Sequence, residues 1–386
     1  MNILVTGGAG FIGSHTVDLL LQKGHTVRIL DGLMPPVHLP GKIPEYVPRG
    51  VEFIHGDVRE RAAWERALPG MDAVIHLAAY QDYLTDFGKF FHVNTVGTAL
   101  MYEIIVEKKL PIQKIIFASS QAAYGEGKYI CARDGDQYPA QRSLEQLLQR
   151  EWEPLCPVCG NVICPVFTDE SRVTPHNQYA ISKYTQELVA LNLGRRYNIP
   201  SVGMRYSIVQ GPRQSFRNAY SGVLRIFTTR LLADHTPVCY EDGMQFRDYV
   251  SVHDVARANM LALEDARADY EVFNVGGGRP ITVKAYAELI AQTMGKDITP
   301  RIPGEFRFGD TRHIISDISK LSALGWTPQV PFEDIIAEYV AWARDQADAR
   351  DYYADAERKM KSKGVLRETP GTNPNFQLPM TNFATT

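Results

Sequence analysis

The chain is 386 residues long with 45% hydrophobic and 22% charged residues, 30 glycines and 23 prolines. That composition excludes a disordered, collagenous or disulfide-stapled mini-protein and allows one large α/β domain or two packed domains. A net charge of −3 offers no basic surface for nucleic acid, so no polyanion partner is expected. The longest apolar runs, 73–79 and 115–118, are far short of a membrane span, and Met1 leads into Ile3-Leu4-Val5 without the pattern of a signal peptide. No membrane association and a cytoplasmic location are therefore expected.

Strand-like apolar runs alternate with segments of helical period: residues 3–6, a helix from Gly13, then 27–31, 51–54, 73–79, a helix over 93–106, and 115–120. The alternation predicts a parallel sheet with right-handed crossovers, an α/β Rossmann-type doubly wound fold. At its first turn, Thr6-Gly7-Gly8-Ala9-Gly10-Phe11-Ile12-Gly13 follows a strand and opens a helix. Gly7 permits the tight turn, Gly10 lets the backbone approach a pyrophosphate, and Gly13 lets the helix pack on the strand, with Phe11 and Ile12 in the same loop. The helix N-terminus offers free N–H groups to the anion, so a dinucleotide cofactor is expected. Asp31, closing the next strand, suits ribose hydroxyls and repels a 2′-phosphate, which favours NAD over NADP. A turn aspartate before Gly32 is the competing reading. Asp57, with Val58, follows the 51–54 strand toward the adenine edge, and Leu77-Ala78-Ala79 leave room for the second ribose. All five also suit ordinary strand ends.

Tyr179 and Lys183 are spaced i, i+4 on an amphipathic segment over 177–197, so both leave one helical face. An ammonium beside a phenol favours the phenolate, which a tyrosine needs to act as a base near neutral pH. Among nineteen tyrosines about one such pair arises by chance. Ser120 adds weight, because it ends a strand at the carboxyl edge of the sheet, where open α/β folds place ligands.

With these motifs in this order, the sequence over roughly 1–344 resembles the extended short-chain dehydrogenase/reductase superfamily, in its nucleotide-sugar epimerase/dehydratase branch. Thr6 to Gly13 matches the glycine loop, Ser119-Ser120-Gln121-Ala122-Ala123-Tyr124-Gly125 the Ser-Ser-x-x-x-Tyr-Gly turn, and Tyr179-Ala180-Ile181-Ser182-Lys183 the Tyr-x-x-x-Lys pair. Further matches are Arg205-Tyr206 with Gly211-Pro212-Arg213-Gln214, Arg247-Asp248-Tyr249-Val250, Phe273-Asn274-Val275-Gly276 and Gly309-Asp310-Thr311-Arg312-His313. The resemblance implies that Tyr179 takes the proton from a sugar hydroxyl while hydride passes to the nicotinamide. By the same resemblance, Lys183 holds the nicotinamide ribose, Ser120 bonds the reacting oxygen and Asn94 orients the cofactor site. It also places Arg247 and Arg312 on the substrate diphosphate, a role suited to a bidentate guanidinium; surface salt bridging is the alternative for both. Gln121, Arg213 and Asn218 are the further substrate residues it suggests.

Similar 4,6-dehydratases carry an Asp-Glu pair after the catalytic hydroxyl residue, and uronic-acid decarboxylases a carboxylate at the second position. Here those positions are Gln121 and Ala122, so elimination lacks its acid and base and decarboxylation is weakened. The simplest closed cycle is 4-epimerisation: oxidation, rotation of the keto sugar, and return of hydride to the opposite face. Tyr124-Gly125-Glu126-Gly127, the cysteine-containing insertion and the 211–223 block resemble the dTDP-L-rhamnose 4-epimerase subgroup, which interconverts dTDP-L-rhamnose and dTDP-6-deoxy-L-talose. Ser207, Ile208 and Gln210 depart from the family's Arg-Tyr-Phe-Asn-Val-Tyr-Gly-Pro block, and the loss of that Asn at Ile208 bears on the substrate. The rival readings are another UDP- or dTDP-sugar epimerase, a net dehydrogenase or reductase, and a non-catalytic NAD sensor.

Four of five cysteines, Cys131, Cys156, Cys159 and Cys164, fall in an insertion over 127–168. Cys156-Pro157-Val158-Cys159 is a Cys-x-x-Cys knuckle, and the four are expected to hold a structural zinc ion. Asp134 is the alternative ligand, since the subgroup resemblance places a His there. Free thiols in an apolar cluster, or a redox pair at Cys156 and Cys159, are the competing readings. Residues 1–209 are expected to bind the dinucleotide and 210–350 to form mainly a substrate lobe with crossings back to the sheet. A charged, then polar, tail follows over 351–386. The family resemblance implies a homodimer through the 93–106 and 177–197 helices.

Overall fold

The computed structural model describes residues 1–39, 41–82, 85–217 and 222–369. The first half runs β1 (Asn2–Thr6), α1 (Phe11–Gln22), β2 (Thr26–Asp31), β3 (Glu52–His55), α2 (Arg61–Ala67), β4 (Ala73–His76), α3 (Phe87–Phe91), α4 (Gly97–Glu107) and β5 (Lys114–Ser120). A π-turn, His92–Val96, joins α3 to α4, so the helix expected over 93–106 begins inside a π segment. The insertion contributes β6 (Tyr129–Cys131), β7 (Gly135–Gln137), α5 (Leu144–Leu148) and β8 (Cys164–Pro165). Then come α6 (Gln178–Tyr197), β9 (Ser201–Tyr206), β10 (Ile208–Gln210), α7 (Val223–Leu232), β11 (Phe246–Ser251), α8 (Val252–Glu264), β12 (Val272–Val275), β13 (Pro280–Thr282) and α9 (Val283–Thr293). The chain ends through β14 (Phe306–Arg307), α10 (Ser319–Ser322), α11 (Phe332–Arg344), α12 (Tyr353–Ser362) and β15 (Leu366–Arg367).

The main sheet has seven strands in the order β12-β9-β5-β4-β1-β2-β3, every pair parallel. Strand order reverses between β1 and β4, the switch point at which doubly wound sheets bind nucleotides. Val17 and Leu20 of α1 and Val255 of α8 pack with Ile3, Val5 and Ile29 on one face. Trp64 of α2, Met101 and Ile105 of α4 and Ala190 of α6 pack with Leu4, Val74 and Phe117 on the other. Each such side chain fully buried contributes about 1.5–3 kcal/mol of transfer free energy, which is why β5 reads as a continuous apolar run.

The second lobe pairs β10-β11-β13 in a three-stranded sheet. Its core joins Leu224 and Phe227 of α7, Tyr286 and Ile290 of α9, and Ile336 and Tyr339 of α11. The chain crosses back between them, because β12 is an edge strand of the main sheet. The insertion forms its own antiparallel sheet, β7-β6-β8. The polar tail is not featureless: α12 forms over residues 353–362, and β15 pairs antiparallel with β14.

Candidate active site

The end of β1 turns at Gly7, whose φ of 67° and closeness to the chain after β4 both require glycine: a Cβ there would lie 2.8 Å from Ala78 N. At Gly13 a Cβ would lie 2.0 Å from Gly7 O. Leu77 N donates to Thr6 O at 3.1 Å and Ala78 N to Thr6 Oγ1 at 3.2 Å, so the two strand ends are laced together. Helix α1 starts after Gly10 with no side-chain cap, which leaves the N–H groups of its first turn, including Phe11 and Ile12, to an anion. Asp31 closes β2 with Oδ2 accepting from Ala9 N at 3.0 Å and Oδ1 from Leu33 N at 2.9 Å. The carboxylate is thus tied to the glycine loop, as a turn aspartate would be, and each oxygen keeps a lone pair for a ribose hydroxyl. Asp57 is held bidentate by Arg59, Val58 O accepts from Trp64 Nε1 at 2.7 Å, and Ala79 is exposed beyond β4. A cradle that any Cβ would fill, with a carboxylate at the second strand, fits a dinucleotide.

At the carboxyl end of β5, Ser120 caps the short turn Gln121–Tyr124, its Oγ accepting from Ala122 N at 3.1 Å. Asn177 caps α6 by accepting from Ala180 N at 2.9 Å, which sets Tyr179 in the first turn. The Tyr179 hydroxyl faces Ser120; burial pushes the phenol pKa up and the serine hydroxyl pulls it partly back. The spacing predicts the opposite net direction. Burial of the phenol is the reason, and Lys183 does not offset it: it is 1% exposed and spends its ammonium on Ala118 O at 2.7 Å and Gln186 Oε1 at 3.0 Å. Burial brings the Lys183 pKa down to about 7, with Glu187 opposing.

A buried polar chain absent from the sequence reading continues from there. Gln186 Nε2 donates to Thr98 Oγ1 at 3.1 Å, and His76 bridges Thr98 Oγ1 at 3.0 Å and Thr6 Oγ1 at 2.7 Å. Burial, then the Lys183 charge, pushes His76 down to about 3, so the imidazole bridges as a neutral ring and links the glycine loop to the lysine. Asn94, fully buried in the π-turn, accepts from Tyr80 N at 2.8 Å and donates to Tyr80 O at 3.1 Å and Ser182 Oγ at 2.9 Å. It fastens the loop after β4 to α6, a placement typical of π segments at sites.

A cavity of about 640 Å³ opens beside these groups, with Ser120, Gln121, Ala122 and Tyr179 on the side of the main sheet and Arg225, Arg247 and Arg307 on the other. Tyr353, Met360 and Arg367 of the tail also line it. The Arg247 guanidinium donates to Phe246 O at 2.8 Å, Arg312 O at 2.8 Å and Thr311 O at 3.0 Å. Arg307, missed from the sequence although it stands just before Gly309-Asp310, pairs with Asp310 at 2.6 Å. Arg225, also missed, donates to Ser215 O at 2.9 Å, and burial lowers its pKa to about 10.

Three expected residues lie elsewhere. Arg312 is 0% exposed and is not in the cavity wall: it pairs with Glu153 and with Glu241 at 2.8 Å and Asp242 at 2.7 Å. A diphosphate clamp must face the cavity, and this guanidinium is enclosed by three carboxylates. Arg213 pairs with Asp18 of α1 at 2.7 Å and stacks on Tyr46 at 5.0 Å, outside the cavity lining. Cys164, in β8 opposite Ile130, stands apart from the cluster in which Cys131, Cys156 and Cys159 meet Asp134. Asn218 lies outside the described residues.

The chain belongs to the NAD dependent epimerase/dehydratase family, whose model matches residues 3–144 and 159–276. The stretch between the two matched segments, 145–158, falls in the insertion. The chain is 32% identical over 355 residues to a dTDP-L-rhamnose 4-epimerase of Burkholderia thailandensis, across 90% of this chain and 96% of the relative. Among solved structures, UDP-glucose 4-epimerase of Thermotoga maritima with UDP-glucose superposes with a TM-score of 0.73 at 33% identity, covering 89% of this chain and 99% of that one. The Thermus thermophilus UDP-glucose 4-epimerase complex with NAD gives 0.69 at 30% identity, covering 90% and 100%. The protein is therefore an enzyme of a family of nucleotide-sugar epimerases and dehydratases.

Proposed function

We propose that the chain is an NAD-dependent nucleotide-sugar 4-epimerase, with dTDP-L-rhamnose and dTDP-6-deoxy-L-talose as the preferred substrate pair. The observation that carries the reaction type is the cavity wall around Ser120: the serine and Tyr179 line it together, with Gln121 and Ala122 where the family's dehydratases hold an acid and a base. The Burkholderia relative supports the sugar pair, and the Thermus complex with NAD supports the cofactor. A UDP-sugar in the same role, as with the Thermotoga relative, is the second reading. Residues 1–209 then serve the dinucleotide and 210–350 the sugar, with β12 crossing back.

Bound NAD would supply a reversible hydride acceptor for the sugar C4. Gly7, Gly10, Phe11, Ile12 and Gly13 would hold its pyrophosphate, Asp31 its adenosine ribose and Lys183 its nicotinamide ribose. Tyr179 takes the proton from the C4 hydroxyl and returns it after the keto sugar has turned, while Ser120 hydrogen-bonds the same oxygen. Arg247 and Arg307, on the opposite wall, suit the diphosphate as bidentate donors. The cavity, about 640 Å³, is within the ~300–1,000 Å³ usual for small-molecule sites.

A second copy is proposed to dock on the face of α4, the π-turn before it and α6, where Val96 is 40%, Ile181 40% and Leu188 46% exposed. Among the described residues no helix is long and apolar enough to cross a membrane, and five free cysteines suit the reducing cytoplasm proposed as its location.

The test is a panel of dTDP- and UDP-sugars incubated with enzyme and NAD, products resolved by NMR. The proposal expects a C4-epimer pair with no net absorbance change at the nicotinamide band. Stoichiometric NADH would assign a dehydrogenase instead, and NAD binding without conversion of any sugar would assign a sensor.

A further inference from the structure

Cys131, Asp134, Cys156 and Cys159 come from two four-residue turns of the insertion, Cys131-Ala132-Arg133-Asp134 and Cys156-Pro157-Val158-Cys159, and their ligand atoms all lie within 4.8 Å of one another. Cys131 Sγ is 3.6 Å from Cys159 Sγ and 3.5 Å from Asp134 Oδ2, and Cys156 Sγ is 3.3 Å from Asp134 Oδ2. A tetrahedral ion with metal–sulfur bonds of about 2.3 Å and a metal–oxygen bond of about 2.0 Å has sulfur–sulfur edges of ~3.8 Å and sulfur–oxygen edges of ~3.5 Å. Three of the six edges of such a tetrahedron are therefore already close to these lengths, and the other three are no longer than 4.8 Å. None of the sulfurs is in a disulfide, whose bond would be about 2.05 Å.

Backbone N–H groups face two of the sulfurs. Those of Arg133 and Asp134 lie toward the Cys131 sulfur, and that of Asn161 toward the Cys159 sulfur. The second turn closes through Gly160, φ 74°, whose N–H donates to Cys156 O at 2.9 Å. N–H donors on ligand sulfurs are the outer shell that orients a metal site. A sulfur-rich tetrahedral set selects zinc over magnesium or calcium.

We propose that Cys131, Asp134, Cys156 and Cys159 bind one Zn²⁺ in a closed structural site. Four protein ligands leave no open position for substrate. The ion clamps the two ends of the segment 135–155, which carries Arg142 and Glu153. Arg142 is held by Glu241 at 3.0 Å, and Glu153 holds Arg312 and His313, the latter at 2.8 Å. Arg312 O in turn accepts from Arg247 of the cavity wall. The zinc thus anchors, through the insertion, the buried ion network behind the sugar-facing wall.

The measurement is metal stoichiometry of the full chain, purified without chelator and analysed by mass spectrometry, together with thiol protection. One zinc per chain is expected, with Cys131, Cys156 and Cys159 shielded from a thiol reagent until a chelator is added. Cys164→Ser should keep the metal. Asp134→Ala should weaken it at least ~10-fold in competition with a chromophoric chelator, and Asp134→Cys should restore it. Should the substitutions unfold the chain, thiol protection on adding zinc to chelator-stripped wild type decides alone. Wild type without metal and without zinc-dependent protection overturns the proposal, as do iron in place of zinc or loss of metal in Cys164→Ser with retention in Asp134→Ala. None of these readouts depends on the epimerase reading.

Discussion

Replacing Lys183 by methionine removes a buried ammonium that donates to Ala118 O at 2.7 Å and Gln186 Oε1 at 3.0 Å while keeping a long side chain in place. In the folded chain its pKa is lowered to about 7, burial being the cause and Glu187 opposing; in the unfolded chain a lysine titrates near ~10.4. Below pH 7 both states carry the proton, and the group adds no pH dependence. Between pH 7 and 10 the unfolded chain binds a proton that the folded chain does not, so the stability of NAD-free wild type rises with pH through this window. A full proton of difference is worth about 1.4 kcal/mol per pH unit, and from pH 7 to 9 the integrated change is about 2 kcal/mol. The Lys183→Met variant lacks this dependence. Urea denaturation of both NAD-free proteins at pH 7, 8 and 9 should show wild type gaining about 2 kcal/mol on the variant, while turnover of the variant is lower by ~100-fold or more. A stability difference constant across those pH values would refute the reasoning.

Arg312→Met should leave Asp242 without its cation and Glu153 and Glu241 with only His313 and Arg142, and cost about 3–5 kcal/mol, read by denaturant titration. Arg307→Met should instead raise KM for the nucleotide sugar with a stability change within about 1 kcal/mol; the reverse pattern would return Arg312 to the diphosphate. Deleting residues 353–386 removes Tyr353, Met360 and Arg367 from the cavity lining, and steady-state kinetics should show a raised KM while NAD binding, measured by fluorescence titration, is unchanged. Leu188→Glu, on the exposed face of α6, should give a monomer in light scattering; an unchanged dimer would move the interface elsewhere.

The sheet and the nucleotide cradle were legible because they are local: a strand, a glycine turn and a helix within residues 2–22, repeated by alternation to β5. Ser120 and Tyr179 were legible as neighbours because each stands at an element end whose position the pattern fixes. The two arginines at 307 and 312 were not separable by the same means. They lie in an irregular segment, and carboxylates at 153, 241 and 242, remote in sequence, decide which is enclosed. The cysteine cluster could be seen, but its membership depends on β6 pairing with both β7 and β8. That pairing sets Cys164 in a strand and leaves Asp134 in the turn beside Cys131. The polar links from His76 through Thr98 to Gln186 join single residues of three elements, and no motif announces such a chain. Helix α12 escaped because its residues are mostly polar, with Tyr353 its one buried residue, and its place depends on β15 meeting β14.

The claim that this enzyme oxidises and re-reduces one carbon is tested most directly by substrate carrying deuterium at C4. With dTDP-[4-²H]-L-rhamnose and catalytic NAD, the account predicts dTDP-6-deoxy-L-talose with deuterium retained at C4, no accumulation of NADH, and no product from Tyr179→Phe. Deuterium washed out to solvent, or a keto sugar formed with stoichiometric NADH, would contradict it.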